Sequence, residues 1–267
     1  MPEKKIKKKL IIGIIIAGLA LAASCYAPSP PTPPPATAGP VETVDGEITE
    51  SAGEITSAAE TRRGEIETRL KQAIDSGFLI LVNKNNALDK DYKPDDLADI
   101  RYYAQDRGAE GRFMRAAAAD AFHALVEDAA ENGFTLVITT AYRSYSFQST
   151  LYNNYVARDG QAAADRYSAQ PGKSEHQTGL AADVSSPSVN YALTAAFANT
   201  DEGKWLAENA RRFGFIIRYP EGMEEITGYQ YEPWHIRFVG PTSAEYIYEN
   251  KITLEEYLEL IEKSMEE

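Results

Sequence analysis

The sequence predicts an α+β domain over residues 77–267. Short apolar runs of strand type are interspersed with segments of helical spacing, no regular strand–helix–strand alternation is present, and no Gly-rich phosphate loop occurs. The last two features argue against a doubly wound sheet. A chain of 267 residues with 43% apolar and 25% charged side chains can bury one substantial core and still carry appendages.

The elements follow in order. Phe78-Leu79-Ile80-Leu81-Val82 is a short apolar run closed by Asn83 and reads as a buried strand. Residues 111–132 carry Phe113, Ala117, Phe122, Leu125 and Val126 at helical spacing and stop at Asn132-Gly133, a C-terminal signal. Residues 134–140 form a β-branched strand that feeds the polar, aromatic segment Ala141-Tyr142-Arg143-Ser144-Tyr145-Ser146. Residues 146–157 and 205–213 read as helices, and residues 180–184, 215–218 and 235–239 as strands.

The amino terminus has a different texture. Five lysines between Lys4 and Lys9 precede an apolar run, Leu10 to Ala23, that is short for a membrane span of about 20 residues. It ends in Leu21-Ala22-Ala23-Ser24-Cys25, which resembles a bacterial lipobox with Ala22 where Leu is commoner. Residues 1–25 are therefore expected to be a signal segment, with Cys25 lipidated. A signal anchor or an ordinary signal peptide are the alternatives, and each exports the chain. Seven prolines between Pro28 and Pro40, then loose Gly-Glu-Ile repeats at Gly46, Gly53 and Gly64, make residues 26–76 an extended tether. The expected location is the extracellular face of the cell membrane.

Charge narrows the partners. Without residues 1–24 the chain holds 22 basic and 39 acidic side chains, a balance of −17, which disfavours nucleic acid. Nothing predicts a protein partner. The single cysteine excludes an intrachain disulfide and a cysteine-based metal site. Any metal must then use His, Asp or Glu, and the chain has three histidines.

Two of them lie in dense polar motifs, Ser174-Glu175-His176-Gln177-Thr178-Gly179-Leu180-Ala181-Ala182-Asp183 and Glu232-Pro233-Trp234-His235. Two imidazoles and a carboxylate suit one zinc ion at a catalytic site, which keeps a fourth position open. Residues seven apart on one helix are about 10 Å apart along its axis, too far to share an ion. His176 and Asp183 can converge if His176 is on a loop, Gly179 makes a turn and a strand ends at Asp183. Pro233 disfavours a helix interior, which places Glu232 and His235 at a loop-to-strand junction. Glu232 then stands beside the metal as a base. The third histidine, His123, reads as structural.

The motif Ser-x-His-x-x-Gly-x-Ala-x-Asp followed by Glu-x-x-His resembles the VanY-type D-alanyl-D-alanine carboxypeptidases and the related LdcB-type L,D-carboxypeptidases. Leu81-Val82-Asn83-Lys84, Tyr142-Arg143-Ser144 with Gln148, Pro171-Gly172-Lys173-Ser174, and Trp234-His235-Ile236-Arg237-Phe238 extend the resemblance across residues 78–262. It implies a small antiparallel sheet flanked by helices, as in Hedgehog and DD-peptidase domains. It also implies one zinc ion and removal of C-terminal D-Ala from peptidoglycan stem peptides. His176, Asp183 and His235 match the ligands, and Glu232 the base. Arg143 matches the anchor of the substrate's terminal carboxylate, while Ser174 and Gln148 match substrate-side polar positions. A planar guanidinium suits that anchor on chemical grounds, because it grips a carboxylate through two parallel hydrogen bonds. L,D-carboxypeptidase action on tetrapeptides, an endopeptidase and a non-catalytic wall-binding module are the alternatives.

Overall fold

The computed structural model describes residues 77–104 and 109–266, with Thr68, Ile74 and Asp75 besides. The expected signal segment, Cys25 and nearly all of the tether lie outside the described residues. Among those described, no helix is long and apolar enough to cross a membrane.

A two-stranded ribbon comes first, β1 (Leu97–Asp99) against β2 (Phe113–Arg115). Helix α1 (Ala116–Glu131) follows directly, so the helix expected from residue 111 starts later, after strand pairing has used Phe113–Arg115. Its buried residues Ala118, Ala119, Phe122, Leu125, Val126 and Ala129 recur every three or four positions and make one apolar stripe. The Asn132 N–H caps it by donating to the carbonyls of Asp128 and Ala129, and Gly133 turns the chain at φ +87°.

The central sheet is built from β3 (Val137–Thr140), β4 (Ala181–Ser185), β5 (Phe215–Tyr219) and β6 (Glu232–Phe238). Their order across the sheet is β3-β4-β6-β5, all antiparallel. Helices α2 (Tyr145–Asp159) and α3 (Gln161–Tyr167) intervene between β3 and β4, and α4 (Asp201–Asn209) precedes β5. After β5 come the short α5 (Glu224–Thr227), then β6, α6 (Pro241–Asn250) and α7 (Leu254–Glu266). This is the α+β arrangement with a small antiparallel sheet.

Side chains alternate across a strand, so the register assigns the two faces. Ile138, Val184, Ala182 and Ile236 face the apolar core, where Phe215 meets Phe122 of α1 edge to face at 6.4 Å. Asp183, His235, Arg237 and Arg218 fall on the opposite face. Full burial of β4 follows from having a layer on each side.

One expected strand is not a strand. Residues 78–82 form a turn and an irregular segment outside any ladder, although Phe78, Leu79 and Val82 are buried as the apolar run requires. Their carbonyls find another donor. The Arg237 guanidinium donates to the carbonyl oxygens of Phe78 at 2.9 Å and Ile80 at 2.8 Å. A side chain thus satisfies backbone groups that an adjacent strand would otherwise have to satisfy.

Candidate active site

His176 sits in a single 3-10 turn, Glu175–Thr178, that ends at Gly179 in the left-handed conformation with φ +69°. A Cβ there would lie 3.0 Å from Leu97 Cδ2 and 3.1 Å from Arg115 Cγ, so glycine is required both by conformation and by space. The turn delivers the chain into β4, which carries Asp183. Asp183 is the register partner of His235 on β6, and cross-strand pairing brings these two together. Glu232 opens β6 opposite Tyr219, where a register shift follows Ile217. Pro233 lies at that irregularity, where the missing N–H costs no regular ladder bond.

The three side chains converge. One ligand atom from each of His176, Asp183 and His235 lies within 4.8 Å of the others, and all three residues are buried. His176 Nδ1 lies 2.7 Å from the Ala141 carbonyl oxygen and donates to it, which leaves Nε2 bare, 3.5 Å from Asp183 Oδ2. His235 Nδ1 lies 3.2 Å from Asp183 Oδ1 and 3.5 Å from Glu232 Oε2. His176 Nε2 and Asp183 Oδ1 are buried without hydrogen-bond partners. Buried polar atoms left bare and pointed at one another fit a divalent cation, and two imidazoles with one carboxylate fit zinc. Burial and the neighbouring Arg143 hold the His176 ring down to about 4, whereas at His235 burial is outweighed by Asp183, Glu175 and Glu232, which raise that ring well above its ordinary value.

Arg143 follows β3, and its backbone N–H donates to the His176 carbonyl at 3.2 Å. The guanidinium Nη1 donates to Gln148 Oε1 at 2.8 Å, and Nη2 stands 3.9 Å from Asp183 Oδ2. Arg143, Ser174, Glu232 and the three-residue cluster all line one cavity of about 540 Å³. Phe147, Leu151 and Tyr155 of α2 form part of its wall, together with Trp234.

Gln148 has another position. It does not line the cavity: its Oε1 accepts from Arg143, and its Nε2 donates to the Ala169 carbonyl at 2.7 Å. It therefore supports the arginine and reaches no cavity surface of its own. His123 is remote from the cluster; its Nε2 accepts from the Arg101 N–H at 3.1 Å. Sequence reasoning passed over Glu175, which is fully buried between Arg218 and Arg237. An acid between Ser174 and His176, in a stretch that is otherwise buried, was the available signal.

Residues 111–241 match the family model of VanY, D-alanyl-D-alanine carboxypeptidase. YodJ of Bacillus subtilis (strain 168) is 44% identical over 188 residues, which cover 70% of this chain and 68% of YodJ. The chain belongs to the VanY family. All three cluster residues, Glu232 and Arg143 lie inside the VanY match. Among solved structures, the LdcB LD-carboxypeptidase superposes with a TM-score of 0.66 at 44% identity, covering 68% of this chain and 86% of that one. A vancomycin-resistance D,D-pentapeptidase VanY in complex with Zn(II) gives a TM-score of 0.54 at 33% identity, covering 67% and 98%.

Proposed function

We propose that this protein is a zinc carboxypeptidase that removes the C-terminal D-Ala from peptidoglycan stem peptides, held at the outer face of the membrane through Cys25. The observation that carries the reading is one cavity in which an arginine fork stands beside a His-Asp-His cluster and a further carboxylate, that of Glu232. A carboxypeptidase needs those elements together: a group that recognises a free C-terminus, and a site that cleaves the bond before the last residue.

Zinc held by His176, Asp183 and His235 would supply a Lewis acid for the scissile carbonyl and make water a nucleophile at neutral pH. The protein's own groups do the rest. Arg143, pre-set by Gln148, binds the terminal carboxylate and positions the last peptide bond. The Glu232 carboxylate, 3.5 Å from His235 Nδ1, accepts the proton of the attacking water and returns it to the leaving amine. The aromatic and aliphatic wall on α2 covers the residues that precede the scissile bond.

Two readings of that bond differ in the penultimate residue. The D,D reading, on pentapeptides, is supported by the VanY family model and by the zinc-bound pentapeptidase. The L,D reading, on tetrapeptides, is favoured by higher identity to LdcB, 44% against 33% over comparable shares of the chain. Incubating purified protein with defined pentapeptide and tetrapeptide stems and resolving the products by chromatography separates them. Release of D-Ala from neither stem would refute the proposal. For the membrane tether, metabolic labelling with a fatty acid is expected to mark the wild-type chain and not Cys25→Ala; an unlabelled wild-type chain would refute lipidation.

A further inference from the structure

Glu175 stands next to the cluster without belonging to it. Its Oε1 accepts from Arg218 Nε and from Arg237 Nη1, each at 2.8 Å. Its Oε2 has no hydrogen-bond partner and faces His235 Nε2, equally buried and equally without a partner, at the ion-pair distance of 3.7 Å. The other edge of that ring, Nδ1, faces Asp183 and Glu232. A neutral imidazole carries one N–H and one lone pair. Carboxylates stand at both edges of this ring, so a cation bound at the cluster would take the Nδ1 lone pair and leave the N–H for Glu175.

We propose that Glu175 is a positioning residue for the metal: its Oε2 takes the His235 Nε2–H and thereby directs the Nδ1 lone pair at zinc. The inference rests on zinc being held by His176, Asp183 and His235. A carboxylate behind a ligating imidazole fixes its tautomer and raises its basicity. The two histidines then ligate through opposite nitrogens, because His176 gives its Nδ1–H to the Ala141 carbonyl. Two arginines keep the buried Glu175 ionised. Arg218 is itself gripped by Glu255 of α7, through Nη1 at 2.8 Å and Nη2 at 2.6 Å. Arg237 reaches the carbonyls of Phe78 and Ile80. The orientation of one ligand is thus anchored to α7 and to the segment that enters the domain.

Long-range proton–nitrogen spectra of the zinc-loaded wild-type protein read the tautomers directly, with three histidines to assign. The expected result is His176 protonated at Nδ1 and His235 at Nε2; a His235 protonated at Nδ1 overturns the proposal. Zinc affinity, measured by competition with a chromophoric chelator, is expected to fall about 10- to 100-fold in Glu175→Gln. Glu255→Gln removes a charge from the same network but has no contact with His235, and should change affinity far less. Equal losses in the two variants, or none in Glu175→Gln, overturn the proposal. If Glu175→Gln does not fold, the wild-type tautomers decide alone. Tight zinc binding that survives His176→Ala would instead refute the ligand set itself, and the inference would fall with it.

Discussion

Replacing Arg143 with alanine isolates the feature that separates a carboxypeptidase from a general peptidase. The side chain is 16% exposed and its Nη1 is tied to Gln148, so the fork is held in place before substrate arrives. A hydrogen bond to a charged group is worth about 1.5–3 kcal/mol, and a carboxylate engages two. Water solvates both partners before binding, so a net loss of ~3 kcal/mol is reasonable, which at about 1.36 kcal/mol per decade is roughly 100-fold in kcat/KM. Arg143→Lys keeps the charge but loses the fork and the Gln148 contact, and roughly tenfold is expected. The assay compares a stem peptide ending in free D-Ala with the same peptide amidated at its C-terminus. Arg143→Ala should lower turnover of the acid about 100-fold and leave the amide nearly unchanged. Equal losses on both substrates, or no loss on the acid, would refute the anchor. The substitution also strands Gln148 Oε1 and removes a cation 3.9 Å from Asp183, so zinc content and melting temperature must be recorded beside the rates.

Glu232→Gln should lower kcat by about 10²- to 10⁴-fold while zinc affinity and melting temperature stay near wild type, because Glu232 is outside the cluster and its side chain is 19% exposed. A variant that turns over at the wild-type rate would remove Glu232 from the base role. Gly179→Ala should cost about 2 kcal/mol or more, read from the denaturant midpoint, since the new Cβ meets a positive φ and contacts at 3.0 and 3.1 Å. A neutral outcome would mean the turn before β4 is looser than described. Acid should act on the Glu175 network with a definite sign. Burial alone would raise the Glu175 carboxyl, but Arg218 and Arg237 outweigh it and hold it well below the usual range. Its stabilising contribution is then complete above the unfolded value, about 4.3, and is lost as pH falls toward the folded one. In urea titrations of zinc-free protein, the stability gap between wild type and Glu175→Gln should narrow below about pH 4.3. A gap independent of pH would show that Glu175 is not ionised in the fold.

Most of the fold was legible because its punctuation is local. Asn132-Gly133 ends α1 and Gly179 makes the turn before β4, each through a backbone conformation that its residue type favours. Boundaries slipped where pairing competed with helical spacing, as at Phe113–Arg115, which join a strand before α1 begins. The apolar run at residues 78–82 marked burial correctly but not conformation. Apolar composition reports whether side chains leave water, whereas ladder membership depends on which donor reaches the carbonyls.

The sequence by itself determined the chemistry of the site: two imidazoles and a carboxylate in motifs that exclude a helical arrangement, a carboxylate beside them, and a guanidinium of the kind that would suit a free C-terminus. Donor type and spacing are properties of residues and of short segments, so they survive without coordinates. Only the tertiary structure decided which way each polar group faces. It turned Gln148 toward Arg143, set the Phe78 and Ile80 carbonyls against Arg237, and placed Glu175 behind His235. Those orientations follow from satisfying buried hydrogen-bonding groups with partners supplied by remote parts of the chain, and no local pattern encodes such a partner.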